Sequence, residues 1–319
     1  MIAGGAFALV LVSSLLVALS QRETPTFPVG TDVVRLDVLA SARGVPLTGL
    51  GPDDFEVRDN GVVQNAHVAP AASFHWDVVV LFDLSQSVEG AKLEALRASA
   101  RATEAALRAG DRIALLTFAD GVHVRVPLSA SAARLGRALD GLRARGSTAL
   151  FDAVFAGLAL SGTGSGRPLL LLFTDGRDTV SWLAAEDVLE AARQSDVPIH
   201  AVRIASRRPA LAPATWASTA EGSDDDFLRR LTRETGGRVF DAGSASEMQA
   251  RFAEALADIG ARYVLTYEPI GVAREGWHGV QVRLRRHRGT VTVRPGYMAR
   301  PSWRPAGGRQ RPRSAEPNR

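Results

Sequence analysis

Val78 to Phe82 form an unbroken β-branched and aromatic run that stops at Asp83, Ser85 and Ser87, three oxygen-bearing side chains at alternate positions. A run this short, apolar at every position, is what a strand buried on both faces of a parallel sheet looks like. Ser87 then opens a stretch with helical spacing through Leu93, Leu96, Ala100 and Leu107. The three side chains therefore belong to a strand-to-helix turn at the carboxyl edge of a sheet, where open α/β folds bind their ligands. Oxygen ligands carrying few formal charges suit a hard divalent cation such as Mg²⁺, with Mn²⁺ and Ca²⁺ as alternatives, better than Zn²⁺.

Two later segments add to this turn. Gly146-Ser-Thr-Ala-Leu-Phe-Asp152 puts Thr148 at the start of an apolar helix, and Leu169 to Thr174 form a second buried strand ending in Asp175-Gly176. Taken singly, each residue has a plainer role: Ser87 and Thr148 as helix caps, Asp83 as an acceptor for the amides of its turn, Asp175-Gly176 as a turn. Taken together and in this order, Asp83, Ser85, Ser87, Thr148 and Asp175 resemble the metal-ion-dependent adhesion site of von Willebrand factor type A domains. The resemblance implies that the two serines and the threonine contact the cation and that the two aspartates act directly or through water. It also implies one coordination position left for an acidic group on a partner. Asp152, one helical turn beyond Thr148 and on the same side, is expected behind this set, holding the serine or threonine hydroxyls.

Around these motifs strand and helix patterns alternate. Strands are expected near 77–83, 112–118, 168–174, 197–203 and 238–240, with a short edge strand near 122–127; helices are expected near 88–109, 131–142, 149–160, 183–194, 224–235 and 246–259. That order predicts an α/β fold with a doubly wound, mostly parallel sheet over 75–260. The stretch from Ala205 to Asp224 is long for a connection in such a fold and follows a parallel strand, so it belongs on the edge that carries the candidate site; its Trp216 and the run Asp224 to Asp226 either meet a partner or serve locally, the ring packing back and the aspartates capping the next helix.

Both flanks are β-rich. Asp32 to Leu39, Phe55 to Arg58 and Gln64 to Val68 alternate as strands, with a hairpin signal at Asn60-Gly61; Tyr263 to Tyr267, His278 to Leu284 and Thr290 to Tyr297 do the same at the other end. Neither set is large enough to be stable alone, so residues 30–70 and 261–298 are expected to pair into one small β-rich domain beside the α/β core. The flanks also resemble those of a type A-related family frequent in Acidobacteria, through Leu50-Gly-Pro-Asp-Asp-Phe-Glu-Val and Arg294-Pro-Gly-Tyr297.

Composition removes other classes. No cysteine occurs among the 319 residues, which excludes disulfides, thiolate metal sites and cysteine nucleophiles. The basic residues are arginines apart from Lys92 and are interspersed with acids, the pattern of a solvated face and not of a nucleic-acid binder. Residues 299–319, rich in Arg and Pro without apolar periodicity, are expected to be a disordered tail. Residues 1–20 carry no charge, and Ala18-Leu19-Ser20 offers small residues for a signal peptidase. The segment is thus a cleaved signal peptide or a membrane anchor, and either sends the rest across the cytoplasmic membrane, with membrane contact only if the segment stays. No zinc-hydrolase, nucleophile-elbow or phosphate-loop pattern is present. The rival to a binding module is a Mg²⁺-dependent, phosphatase-like hydrolase built on the Asp83 turn; it expects a second carboxylate where Ser85 stands, and a lysine nearby, which the sequence does not place there. The sequence therefore points to an exported, metal-dependent module for adhesion or assembly, not an enzyme, whose protein partner presents an exposed Asp or Glu.

Overall fold

A computed structural model of the chain describes residues 33–129, 134–164, 166–204 and 220–299. The apolar amino-terminal segment, Trp216 with most of its connection, and the Arg/Pro-rich tail lie outside the described residues.

The chain opens with strands β1 (Val34–Ala42), β2 (Val45–Pro46), β3 (Phe55–Asp59), β4 (Val62–Gln64) and β5 (His67–Pro70). It continues through β6 (Trp76–Asp83), α1 (Ala91–Ala106), β7 (Arg112–Phe118), β8 (Val122–Ser129), α2 (Arg134–Leu139), α3 (Leu150–Ser161), β9 (Arg167–Thr174), α4 (Ala185–Arg193), β10 (Ile199–Ile204), α5 (Ala220–Thr235), β11 (Val239–Ala242) and α6 (Ala245–Gly260). It closes with β12 (Tyr263–Tyr267), β13 (Gly276–Leu284), β14 (Thr290–Thr292) and β15 (Gly296–Ala299).

The central sheet has the order β11-β10-β9-β6-β7-β8, parallel throughout except for β8, which runs antiparallel to β7 along the edge. Its strands are apolar at successive positions because both faces are covered. Val78, Val80 and Phe82 join Leu169, Leu171 and Phe173 in a core beneath α1 and α6, whereas Val79, Leu81, Leu170 and Leu172 join residues of α3, α4 and α5 on the opposite face. This is the period-two division that the run Val78 to Phe82 implies once a sheet is sandwiched between helices. Several helix ends differ from the sequence reading by three or four residues, and the one that bears on the site is the first helix, which begins at Ala91, not at 88. Gln86–Val88 form a 3₁₀ turn, and Gly90 takes a φ of +69°, a left-handed backbone that glycine adopts without steric cost and that separates turn from helix.

The flanking strands form two further sheets. β1 lies between β12 and β14, with β5 beyond β12, and β13 lies between β15 and β3, with β4 at the edge. Their inward residues, among them Leu36, Val38, Phe55, Val57, Leu265 and Tyr267, make a third buried cluster. Arg167, the first residue of β9, is buried, donates its Nε–H to Asp37 of β1 at 3.2 Å and lies 4.0 Å over the ring of Trp76. The flanks thus meet the central sheet at its amino edge.

Candidate functional site

The chain leaves β6 toward β7 and β8, then returns to β9 on the other side of β6 and continues outward to β10 and β11. The order of winding therefore reverses between β6 and β9, and in an open α/β sheet that switch point opens a crevice at the carboxyl ends of the strands. Asp83 is the last residue of β6, and Asp175 follows directly on Thr174, the last residue of β9. Topology alone thus places the two aspartates side by side at the crevice.

Asp83 is fully buried. Its carboxylate accepts from the Ser85 N–H at 2.8 Å and from the Thr174 hydroxyl at 2.8 Å, and no basic side chain lies against it among the described residues. Burial pushes its carboxyl up to about 6; hydrogen bonds from Ser85 and Thr174 oppose the rise, and the charge of Asp175 adds to it. The Ser85 and Ser87 hydroxyl oxygens lie 2.9 Å apart, Ser85 buried and Ser87 exposed, so the pair leads from the interior to the surface. Ser87 caps nothing: α1 begins three residues beyond Val88, after Gly90.

Thr148 arrives from a different segment, held against the turn by backbone bonds. The Arg145 N–H donates to Leu84 O at 2.7 Å, the Gln86 N–H to Gly146 O at 3.1 Å, and the Ala149 N–H to Ala119 O at 2.8 Å. Gly146 sits at φ +81°, a left-handed backbone that favours glycine, and a Cβ here would also crowd the Asp120 carboxylate. The cap of α3 comes from another residue: Asp178 Oδ1 accepts from the Leu150 and Phe151 N–H groups at 2.8 and 3.3 Å. The Thr148 hydroxyl is therefore spared for other use and makes no hydrogen bond among the described residues; only its backbone is engaged, its N–H by the Thr179 hydroxyl at 2.8 Å and its carbonyl by the Thr179 and Val180 N–H groups.

Two expectations are corrected. Asp152 does not hold the serine or threonine hydroxyls: its carboxylate accepts from the backbone N–H groups of Trp182 and Leu183, both at 3.0 Å, and so fixes the loop after β9. A carboxylate in the first turn of a helix meets the closest unpaired amide donors, and here the β9–α4 loop supplies them. Lys92, which the sequence does not place near the turn, donates its ammonium to the Ser87 carbonyl at 3.0 Å, because α1 starts late enough to fold its first turn back over the 3₁₀ segment. Sequence reading missed two residues: Asp178, which caps α3, and Trp182, which stands 95% exposed on the Asp152-bound loop.

No group of three or more His, Cys, Asp or Glu side chains with metal-holding placement occurs among the described residues. The edge offers instead the hydroxyls of Ser85, Ser87 and Thr148 with the carboxylates of Asp83 and Asp175, an all-oxygen set of the kind that holds a hard divalent cation. None of the helices among the described residues is long and apolar enough to cross a membrane.

Comparison with known proteins agrees with this architecture. A family model for the von Willebrand factor type A domain matches residues 77–254, more than half of the chain. The UPF0353 protein MLBr01808 of Mycobacterium leprae (strain Br4923) is 26% identical over 221 residues, which cover 63% of this chain and 64% of that protein. The chain thus spans less than two thirds of the length of the curated relatives it matches. Among solved structures, a von Willebrand factor type A protein from Catenulispora acidiphila superposes with a TM-score of 0.51 at 16% identity, covering 79% of this chain and 74% of that one. Proximal thread matrix protein 1 from the mussel byssus gives 0.50 at 15% identity, covering 64% and 50%. At these identities the structural likeness speaks for the fold alone, while the family model covers both strand ends that carry Asp83 and Asp175: the chain belongs to the von Willebrand factor type A domain family.

Proposed function

We propose that this chain is an extracytoplasmic protein-binding module for adhesion or assembly, whose docking depends on a divalent cation, Mg²⁺ with Mn²⁺ or Ca²⁺ as alternatives, held by Ser85, Ser87 and Thr148 with Asp83 and Asp175. The observation that carries it is the pairing of a buried carboxylate lacking a basic partner with a threonine hydroxyl released from capping by Asp178. Burying an ionised carboxylate without a positive partner is costly, and a cation at this edge would remove that cost. Once bound, the cation would supply a Lewis-acidic centre for an anionic oxygen. With neutral hydroxyls and only two carboxylates around it, it keeps much of its charge, and a Glu or Asp side chain on another protein is the simplest group to meet it. The likeness in fold to a thread matrix protein is in keeping with such a role. Nucleic acid is a poor fit as a partner, since arginines such as Arg112 and Arg230 are paired with Asp77 and Glu186.

Lys92 is the one observation on the side of a Mg²⁺-dependent hydrolase, and release of phosphate from an aryl phosphate under Mg²⁺ would decide for that reading. Ser85, where such a site needs its second carboxylate, argues for binding. The binding reading expects protein captured from envelope extract on immobilised chain to be released by chelator, recovered with Mg²⁺ or Mn²⁺, and absent on the Thr148→Ala chain. Capture that persists in excess EDTA and on Thr148→Ala contradicts it. Export rests on the uncharged apolar start and the small residues at Ala18 and Ser20. A reporter active only outside the cytoplasm, fused after Arg22, is expected to give signal, and a silent fusion overturns the location.

A further inference from the structure

Trp182 is the most exposed large apolar side chain among the described residues, at 95%, and Val180 beside it is 42% exposed. An exposed tryptophan on a floppy loop would say little, but this loop is fixed at each residue. The Thr179 and Val180 N–H groups donate to Thr148 O at 2.9 and 3.2 Å, the Ser181 N–H to Asp178 Oδ2 at 3.4 Å, and the Trp182 and Leu183 N–H groups to the two oxygens of Asp152 at 3.0 Å each. The Ser181 hydroxyl adds an acceptor for the Phe151 N–H at 3.1 Å. The backbone from Thr179 to Leu183 is thus pinned at the start of α3 while the indole stands almost fully exposed. Ordering that loop is a cost already met in the free protein, and a rigid, amphipathic ring with two side-chain torsions is the kind of group that anchors protein interfaces.

The position of the loop says what would cover it. Val180 hydrogen-bonds the carbonyl of Thr148, whose hydroxyl belongs to the candidate cation set, and Trp182 follows within about 8 Å along the chain. Arg145, exposed and tied through its N–H to the Leu84 carbonyl of the same turn, flanks this edge and favours an acidic occupant. Resting on the metal-dependent reading above, we propose that Trp182, with Val180, is the apolar anchor of the docking surface. The partner segment it accepts carries an aliphatic or aromatic side chain about two to four residues from the carboxylate that meets the edge oxygens, since an extended strand advances roughly 3.3 Å per residue. Asp152 is then a positioning residue for the anchor, which is the use the structure gives it in place of the one expected from sequence.

The test uses the full chain and two labelled peptides in a Gly/Ser background, each with one Glu, one of them with Leu three residues away and the other with Ser there. With Mn²⁺ present, the wild type is expected to bind the Leu peptide at least about tenfold more tightly than the Ser peptide, the scale of an interface hot spot. Trp182→Ala should bind both peptides alike while keeping its Mn²⁺ affinity and melting temperature, since the ring stands almost fully exposed. Equal binding of the two peptides by the wild type, or a preference that survives Trp182→Ala, overturns the anchor and leaves the cation reading standing. Capture of neither peptide by a wild type that demonstrably takes up Mn²⁺ overturns the anchor together with carboxylate docking.

Discussion

At the amino edge of the central sheet, Asp77 takes a two-pronged bond from Arg112 at 2.7 and 2.6 Å, and Asp258 takes one from Arg238 at 2.7 Å and two from Arg262 at 3.4 and 3.3 Å. At the carboxyl edge Asp83, as deeply buried as either, is held by one amide and one hydroxyl. The same side chain thus does different things at the two ends of the strands. Where the flanking β-strands dock, both of these carboxylates are matched by guanidinium groups and the arrangement is structural. At the crevice no guanidinium meets Asp83 among the described residues, the asymmetry expected if this is the end that takes up a cation.

The comparison can be broken first at the matched edge. Arg262 is buried and donates to Asp258 and to the Gly236 carbonyl, so Arg262→Met strands an acceptor and removes one of the two guanidinium groups that meet Asp258. A loss of about 3–5 kcal/mol in urea denaturation is expected. A loss below about 1 kcal/mol would mean that the matched edge is not what fastens flank to core.

At the crevice the sign reverses. The Asp83 carboxyl titrates at about 6 in the folded chain against 3.8 when unperturbed. Between those values the folded state holds a proton that the unfolded state has lost, so without metal the stability of the wild type falls as pH rises through this window. Asp83→Asn, nearly isosteric and uncharged, should therefore stabilise the metal-free chain by about 2–3 kcal/mol above pH 6, with the gain fading toward pH 4. Denaturation in chelator across that pH range reads it directly. A destabilisation at pH 8 would show Asp83 to be matched after all.

Much of this was legible before any coordinates. The strands at 77–83, 112–118 and 168–174 announce themselves because burial on both faces makes their interiors almost wholly apolar, with polar residues mainly at the ends, and the observed β6, β7 and β9 lie within one residue of those bounds. The five candidate residues stand out because hydroxyls and carboxylates at strand ends have a topological meaning. What stayed hidden depends on pairings between distant segments. Nothing local to Asp178 says that it will cap α3, freeing Thr148, and nothing local to Asp152 says that its carboxylate will seize the amides of Trp182 and Leu183. Residues 177–183 have no periodicity, so neither the order of that loop nor the exposure of its tryptophan could be read from it. Lys92 was misplaced for a similar reason, since its reach to Ser87 follows from the 3₁₀ turn and Gly90.

The central claim is that the crevice at Asp83 and Asp175 holds a divalent cation, and its most direct test is the thermal and chemical stability of the purified chain titrated with Mg²⁺. A ligand that binds only the folded state stabilises it by about 2.7 kcal/mol at a hundredfold excess over Kd. The wild type is expected to gain stability in this way with rising Mg²⁺, while Asp83→Ala and Thr148→Ala, both folded, gain nothing over the same range. Equal Mg²⁺-dependent stabilisation of wild type and Asp83→Ala would contradict the account.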